Sequence, residues 1–154
     1  MAAAEFRDTL TVGKDRLLEA ITRHEDYPKF VEGCKSVDVS RGADGKVRVV
    51  YHVEVMSQDV TYVLDHVENQ AAGTVEWELV ESNFFKKNKG RWVVRPEGPE
   101  GSDQSDVLYA LEVEFKIPVP SFILNRLVKG SLPAMVKSFE KQAKQVSKVG
   151  KARS

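Results

Sequence analysis

Three histidines, one cysteine and the adjacent pair Asp65–His66 are the side chains of this chain with the most chemistry to offer. His24, His52 and His66 are scattered, and no helix would present two of them four residues apart, so a metal site is not expected. No Cys/His set has zinc spacing. Cys34 follows Gly33 with no identifiable activating group and reads as an inert, small buried thiol. Gly42, Gly45, Gly98 and Gly101 fall in hairpin turns, and no glycine-rich strand-to-helix loop exists to cradle a phosphate. Asp65 and His66 lie on one strand and point to opposite faces, so they cannot act as a pair. Val60, Tyr62 and Leu64 share the parity of His66, which places His66 inward and Asp65 outward. A core or edge histidine is the favoured reading over a catalytic one. No catalytic residue, cofactor or metal ligand is assigned.

The aromatic residues offer binding rather than bond-making. Tyr51, Trp77, Trp92 and Tyr109 occupy the apolar faces of four different strand patterns. They are either ordinary core, with polar tips hydrogen-bonded, or a pocket wall whose hydroxyls and indole N–H groups orient a mostly apolar ligand. The candidate wall comprises Tyr51, Val53, Tyr62, Trp77, Leu79, Trp92, Tyr109, Leu111 and Val113 from strands, with Leu132, Met135 and Phe139 from the last helix. Phe84–Phe85, beside a turn, would form part of its rim. A second feature is basic: Lys137, Lys141, Lys144, Lys148 and Lys151 recur at steps of four and three along that helix. Such a ridge is a solvated face first, and otherwise a docking surface for an anionic membrane or RNA.

Short strands between two helical ends must position these residues. Phe6–Val12 is a strand candidate, Lys14–Arg23 an amphipathic helix carrying Leu17, Leu18 and Ile21, and Asp26–Gly33 a second short helix with Pro28 at its start. Cys34–Ser40, Val47–Val55, Val60–Glu68, Thr74–Glu81, Arg91–Arg95 and Val107–Phe115 alternate as half-buried strands. Residues 41–45, 71–73 and 86–90 read as turns between them, and connections this short make the strands antiparallel neighbours. After Pro118–Val119–Pro120, with Ser121 as N-cap, Leu124, Leu127, Val128, Leu132, Met135, Val136, Phe139, Ala143 and Val146 mark a long helix with one apolar face. Gly130 and Pro133 predict a break near 130–133. The expectation is an α+β fold: about seven antiparallel strands, curved round the C-terminal helix, with two short helices after the first strand plugging one end. An apolar hollow between sheet and helix suits a small lipophilic ligand.

Bulk properties agree. The 154 residues suit a single domain spanning 1–154, with a disordered basic tail expected over 147–154. An apolar fraction of 42% beside 30% charged residues is that of a soluble globular chain. Lysine plus arginine equal aspartate plus glutamate at 23 each, which removes the global basic footprint of a DNA-binding protein. Residues Met1–Phe6 have neither a basic nor an apolar signal region, and no run reaches the length of a spanning helix, so a cytoplasmic address is expected.

Three segments carry a family resemblance. Asp26-Tyr27-Pro28-Lys29-Phe30-Val31 with Cys34-Lys35-Ser36-Val37 resembles the short-helix segment of the START-like (SRPBCC, helix-grip) superfamily, in its cyclase/dehydrase and coenzyme-Q-binding branch. Val75-Glu76-Trp77-Glu78-Leu79-Val80, with Phe84-Phe85 and Gly90-Arg91-Trp92, is similar to that branch's central hairpin. Ile117-Pro118-Val119-Pro120, before Leu124-Asn125-Arg126-Leu127 and Leu132-Pro133, resembles its approach to the last helix. The resemblance implies the helix-grip fold and three competing functions. The first is binding or transport of a small lipophilic molecule such as a quinone, isoprenoid, lipid or polyketide-like compound. The second is a polyketide cyclase or aromatase, which needs polar groups inside the cavity, and few are expected there. The third is a ribosome- or RNA-associated module using the basic tail.

Overall fold

The computed structural model describes residues 2–55, 57–99, 101–126 and 130–153, with the side chains of residues 2 and 146–153 excepted. Seven strands form one antiparallel sheet in the order β1-β7-β6-β5-β4-β3-β2. Their ranges are β1 Ala2–Leu10, β2 Cys34–Arg41, β3 Lys46–Val55, β4 Gln58–Asn69, β5 Thr74–Ser82, β6 Phe85–Pro96 and β7 Ser105–Phe115. Between β1 and β2 lie α1 (Lys14–Thr22), a single 3-10 turn (His24–Asp26) and α2 (Tyr27–Phe30). After β7 come α3 (Ser121–Asn125) and α4 (Leu132–Arg153).

The period-two patterns put one face of every strand inward. On β3 the buried residues are Val47, Val49 and Tyr51, and on β7 Ser105, Val107, Tyr109 and Val113. From the helices, Leu17, Leu18 and Ile21 of α1 and Leu132, Val136, Phe139 and Ala143 of α4 close over that face. Polar ties fix the helix. The Thr11 amide donates to Glu140 Oε2 at 2.8 Å, and Lys137 pairs with Asp8 at 3.2 Å. Bulges at Lys35 of β2, Val80 of β5 and Lys86 of β6 bend three strands, which lets the sheet curl round α4.

The sequence patterns miss four local features. Strand β1 starts at Ala2 and ends at Leu10, not Phe6–Val12, because Ala2 to Leu10 pair continuously with β7. Ser121 is the first residue of α3 and Pro120 occupies its N-cap, with no side-chain cap bond. The second short helix covers only Tyr27–Phe30, and Gly33 lies beyond it at φ 82°. The largest correction concerns residues 86–90, which are not a turn but the middle of β6. Lys87 faces Glu112 at 3.0 Å and Lys86 faces Glu114 at 3.7 Å on β7, while Asn88 and Trp92 point inward. The lysine cluster that suggested a turn is thus the outer face of a strand.

Gly90 is what allows this. A Cβ there would stand 2.3 Å from the Ala110 carbonyl oxygen and 2.5 Å from the Trp77 ring. The break expected near 130–133 is present: α4 begins at Leu132, with Pro133 in its first turn, where no amide hydrogen is required. The expected apolar positions Leu127 and Val128, the side chains of Val146, Lys148 and Lys151, and the tail expected over 147–154 fall outside the fully described residues.

One seam interrupts the sheet. Pairing between β5 and β6 runs from Thr74–Val93 only to Glu78–Lys89. Beyond it, β5 stays with β4 (Leu64–Leu79 to Tyr62–Ser82), and β6 stays with β7 (Asn88–Val113 to Phe85–Phe115). The two strands part towards their own connection at Asn83–Phe84.

Gly90→Ala should lower the free energy of unfolding by about 1–3 kcal/mol, as overpacking does. Gly42→Ala, whose Cβ would meet nothing closer than 3.6 Å, should stay within about 0.5 kcal/mol. Urea titrations of both variants check the pair.

Candidate functional site

Between the concave face of the sheet and α4 lies a cavity of about 280 Å³. Of the expected wall, Tyr51, Val53, Tyr62, Trp77, Trp92, Tyr109, Leu111, Val113, Met135 and Phe139 line it, with Phe84 and Phe85 as well. Leu79 and Leu132 do not. Leu79 sits just past the point where β5 leaves β6 and packs partly buried against the core, and Leu132 is buried in the first turn of α4. The rings interlock edge to face or tilted: Trp92 on Tyr109 at 4.8 Å, Trp92 on Phe139 at 5.1 Å, and Trp77 on Tyr109 at 5.4 Å between centroids. Tyr51 stacks on its cross-strand partner Tyr62 at 4.9 Å.

The cavity is more polar than the sequence suggests, and the histidines are not scattered. His24 and His66 come within 4.5 Å of each other between ring centroids. His66 points inward and Asp65 outward, as the strand parity implies; Asp65 is held by Arg48 through bonds of 2.7 and 2.9 Å. His24 arrives from the 3-10 turn before α2. That turn is clamped by Arg41, whose guanidinium takes both carboxylate oxygens of Glu25 and also bonds the Thr22 carbonyl. Arg41 holds the Glu25 carboxyl down at about 2. His52 stays on the outer face, bonded to Thr61.

A chain of hydrogen bonds joins the buried imidazoles. His24 Nε2 meets Glu68 Oε2 at 2.9 Å, and His24 Nδ1 meets the Tyr51 hydroxyl at 3.2 Å. That hydroxyl also meets His66 Nε2 at 3.2 Å. A phenol hydroxyl both donates and accepts, so Tyr51 bridges the two rings. His66 Nδ1 is buried with no side-chain partner, and the backbone of its cross-strand neighbour Val47 lies alongside. Burial, reinforced by the neighbouring His24, pushes His66 down to about 3, so this imidazole is neutral near pH 7.

Trp77 and Asn88 form a second polar pair in the interior. Trp77 Nε1–H donates to Asn88 Oδ1 at 3.1 Å, which turns the Asn88 NH₂ away from the indole. Asn88 escaped the sequence reading because the residues around it passed for a turn. Burial raises the hydroxyls of Tyr27, Tyr51, Tyr62 and Tyr109, keeping all four as neutral phenols. Cys34 also reaches the wall, and burial raises its thiol, in keeping with an inert role. Among the described residues no cluster of three His, Cys, Asp or Glu side chains could hold a metal ion. None of their helices is long and apolar enough to cross a membrane.

The family described as polyketide cyclase / dehydrase and lipid transport matches residues 14–140. No curated protein shows significant similarity in sequence. A START superfamily protein from Mycobacterium smegmatis superposes with a TM-score of 0.78 at 21% identity, covering 94% of this chain and 98% of that one. The Zhui aromatase/cyclase from Streptomyces gives 0.80 at 13%, covering 94% of each chain. A major latex-like protein from Panax ginseng gives 0.67 at 15%, covering 92% and 97%. At these identities the likeness is one of fold.

The depressed His66 sets a pH dependence. Unfolded, the imidazole takes up its proton near pH 6.5; folded, it refuses it until about pH 3. Stability from this residue is therefore complete above pH 6.5 and declines as pH falls towards 3. Urea unfolding of the wild type and His66→Gln from pH 7.5 to 4.5 should show a shallower acid loss in the variant. Parallel curves would remove His66 as the cause.

Proposed function

The chain belongs to the polyketide cyclase / dehydrase and lipid transport family, and we propose that it binds and carries a small lipophilic molecule in its cavity. One observation carries this reading: an aromatic-walled hollow of about 280 Å³ persists where the core would otherwise be filled. Close-packed interiors leave few voids larger than a water molecule, so a hollow of this size is a built feature. It lies at the small end of the ~300–1,000 Å³ common for ligand pockets. A quinone or isoprenoid head would be enclosed, while a long chain would have to extend outward. The coenzyme-Q branch stays one candidate source of such a ligand, and the cytoplasm the expected place of work.

A cyclase or aromatase is the second reading, favoured by the Glu68–His24–Tyr51–His66 chain. Against it, Tyr51 and His24 are engaged on both sides, and His66 is buried in the wall and too weakly basic near neutrality. The carrier is preferred on that ground. A membrane or RNA contact through the basic ridge has less support: Lys137 is paired with Asp8 and Glu140, and Lys144 bonds Thr11, which leaves Lys141 as the unpaired lysine among the ridge's described residues.

The neutral fluorescent probe phenylnaphthylamine should bind, with or without EDTA, and Met135→Trp should weaken it at least about tenfold by filling the hollow from α4. Unchanged affinity in a folded Met135→Trp protein would place the probe outside the cavity and sink the proposal.

A further inference from the structure

Three donors inside the cavity have nothing to donate to. The hydroxyls of Tyr62 and Tyr109 and the NH₂ of Asn88 line the hollow and make no hydrogen bond among the described residues. Tyr109 is 8% exposed and Asn88 7%. Buried polar groups in folded proteins are nearly always paired, because an unpaired one forfeits the hydrogen bond it made with water. Here the neighbouring groups are paired with care. Trp77 spends its indole N–H on the Asn88 oxygen, and Tyr51 completes the histidine chain. Because an indole N–H can only donate, the Asn88 oxygen is taken, and its free end has donors alone.

The charges of the wall narrow the partner further. No lysine or arginine lines the cavity among the described residues, and its acidic side chains, Glu32 and Glu54, do not favour an anion. A carboxylate brought inside would lose its hydration without gaining a countercharge. We infer that the ligand is an uncharged, largely apolar compound bearing a carbonyl oxygen, held by hydrogen bonds from Asn88 and Tyr109, with Tyr62 completing the donor set. The inference rests on the carrier reading above and adds the polar group that the ligand presents. The aromatic rings supply affinity, and the donors choose among compounds of one shape.

Three naphthalenes of nearly equal size test it: acetonaphthone with a neutral carbonyl, ethylnaphthalene without an acceptor, and naphthoate with a charge. Calorimetry or tryptophan quenching should rank acetonaphthone at least about tenfold tighter than either of the others, the worth of one well-placed hydrogen bond. Tyr109→Phe and the double Tyr62→Phe/Tyr109→Phe variant keep the packing and remove only hydroxyls. They should cost acetonaphthone several-fold in affinity, leave ethylnaphthalene unchanged, and keep or raise the melting temperature, since an unpaired buried hydroxyl is lost. Equal binding of acetonaphthone and ethylnaphthalene, tighter binding of naphthoate, or variants that weaken ketone and hydrocarbon alike would overturn the inference while leaving the carrier intact. Failure of phenylnaphthylamine and all three naphthalenes to bind the wild type would overturn both.

Discussion

A sheet with one apolar face has to be covered, and here a single helix does most of the covering. Seven strands spaced about 4.8 Å apart would make a flat sheet roughly 30 Å wide. A helix with its side chains is only about 10–12 Å across. The mismatch leaves two ways to keep water off the apolar face: curl the sheet or add further elements. The chain does both, with bulges on β2, β5 and β6 and with α1 and α2 at one end. The hollow follows from this geometry. A curled sheet touches a straight helix along a line, and side chains as large as Trp77, Trp92 and Phe139 bridge the remaining distance only in part.

Inside the hollow, desolvation decides which groups keep their charge. Glu68 is partly exposed at the outer end of the histidine chain, while His66 at the inner end is held neutral. The ordering is that of a polar wall whose charge lies outside and whose dipoles lie inside. Such a wall orients a neutral guest without trapping an ion. The Arg41–Glu25 clamp belongs to the same arrangement, because it fixes the turn that carries His24 without entering the cavity.

Much of this was legible in the residues, because strand parity is a strict code. Val60, Tyr62 and Leu64 were enough to turn His66 inward, and alternation on β3 and β7 placed Tyr51 and Tyr109. The same code was present but overruled in β6, where Asn88, Gly90, Trp92 and Val94 alternate through a lysine cluster that composition assigns to a turn. Those lysines balance Glu112 and Glu114 on β7, a long-range pairing that no local window contains. His24 lay beyond parity altogether. It sits where one helix ends and another begins, and only the three-residue steps Ile21, His24, Tyr27 hint that the three share a face. Glu68, two residues after His66, was the other signal: an acid of inward parity needs a partner.

The seam between β5 and β6 bears on time rather than affinity. Where the two strands part, the ladder between them stops and the Ser82 hydroxyl, accepting from the Phe84 and Phe85 amides, ties the connection instead, so local opening costs less there than in a fully laddered sheet. For the carrier proposed above, a brief separation of the Leu79–Ser82 and Phe85–Asn88 segments would be the exit that disturbs the fewest backbone bonds. Residence in the pocket is in that case set by how often the hairpin breathes, a property of backbone pairing. On that reading, side chains would set how tightly a cargo is held and main chain how soon it is released.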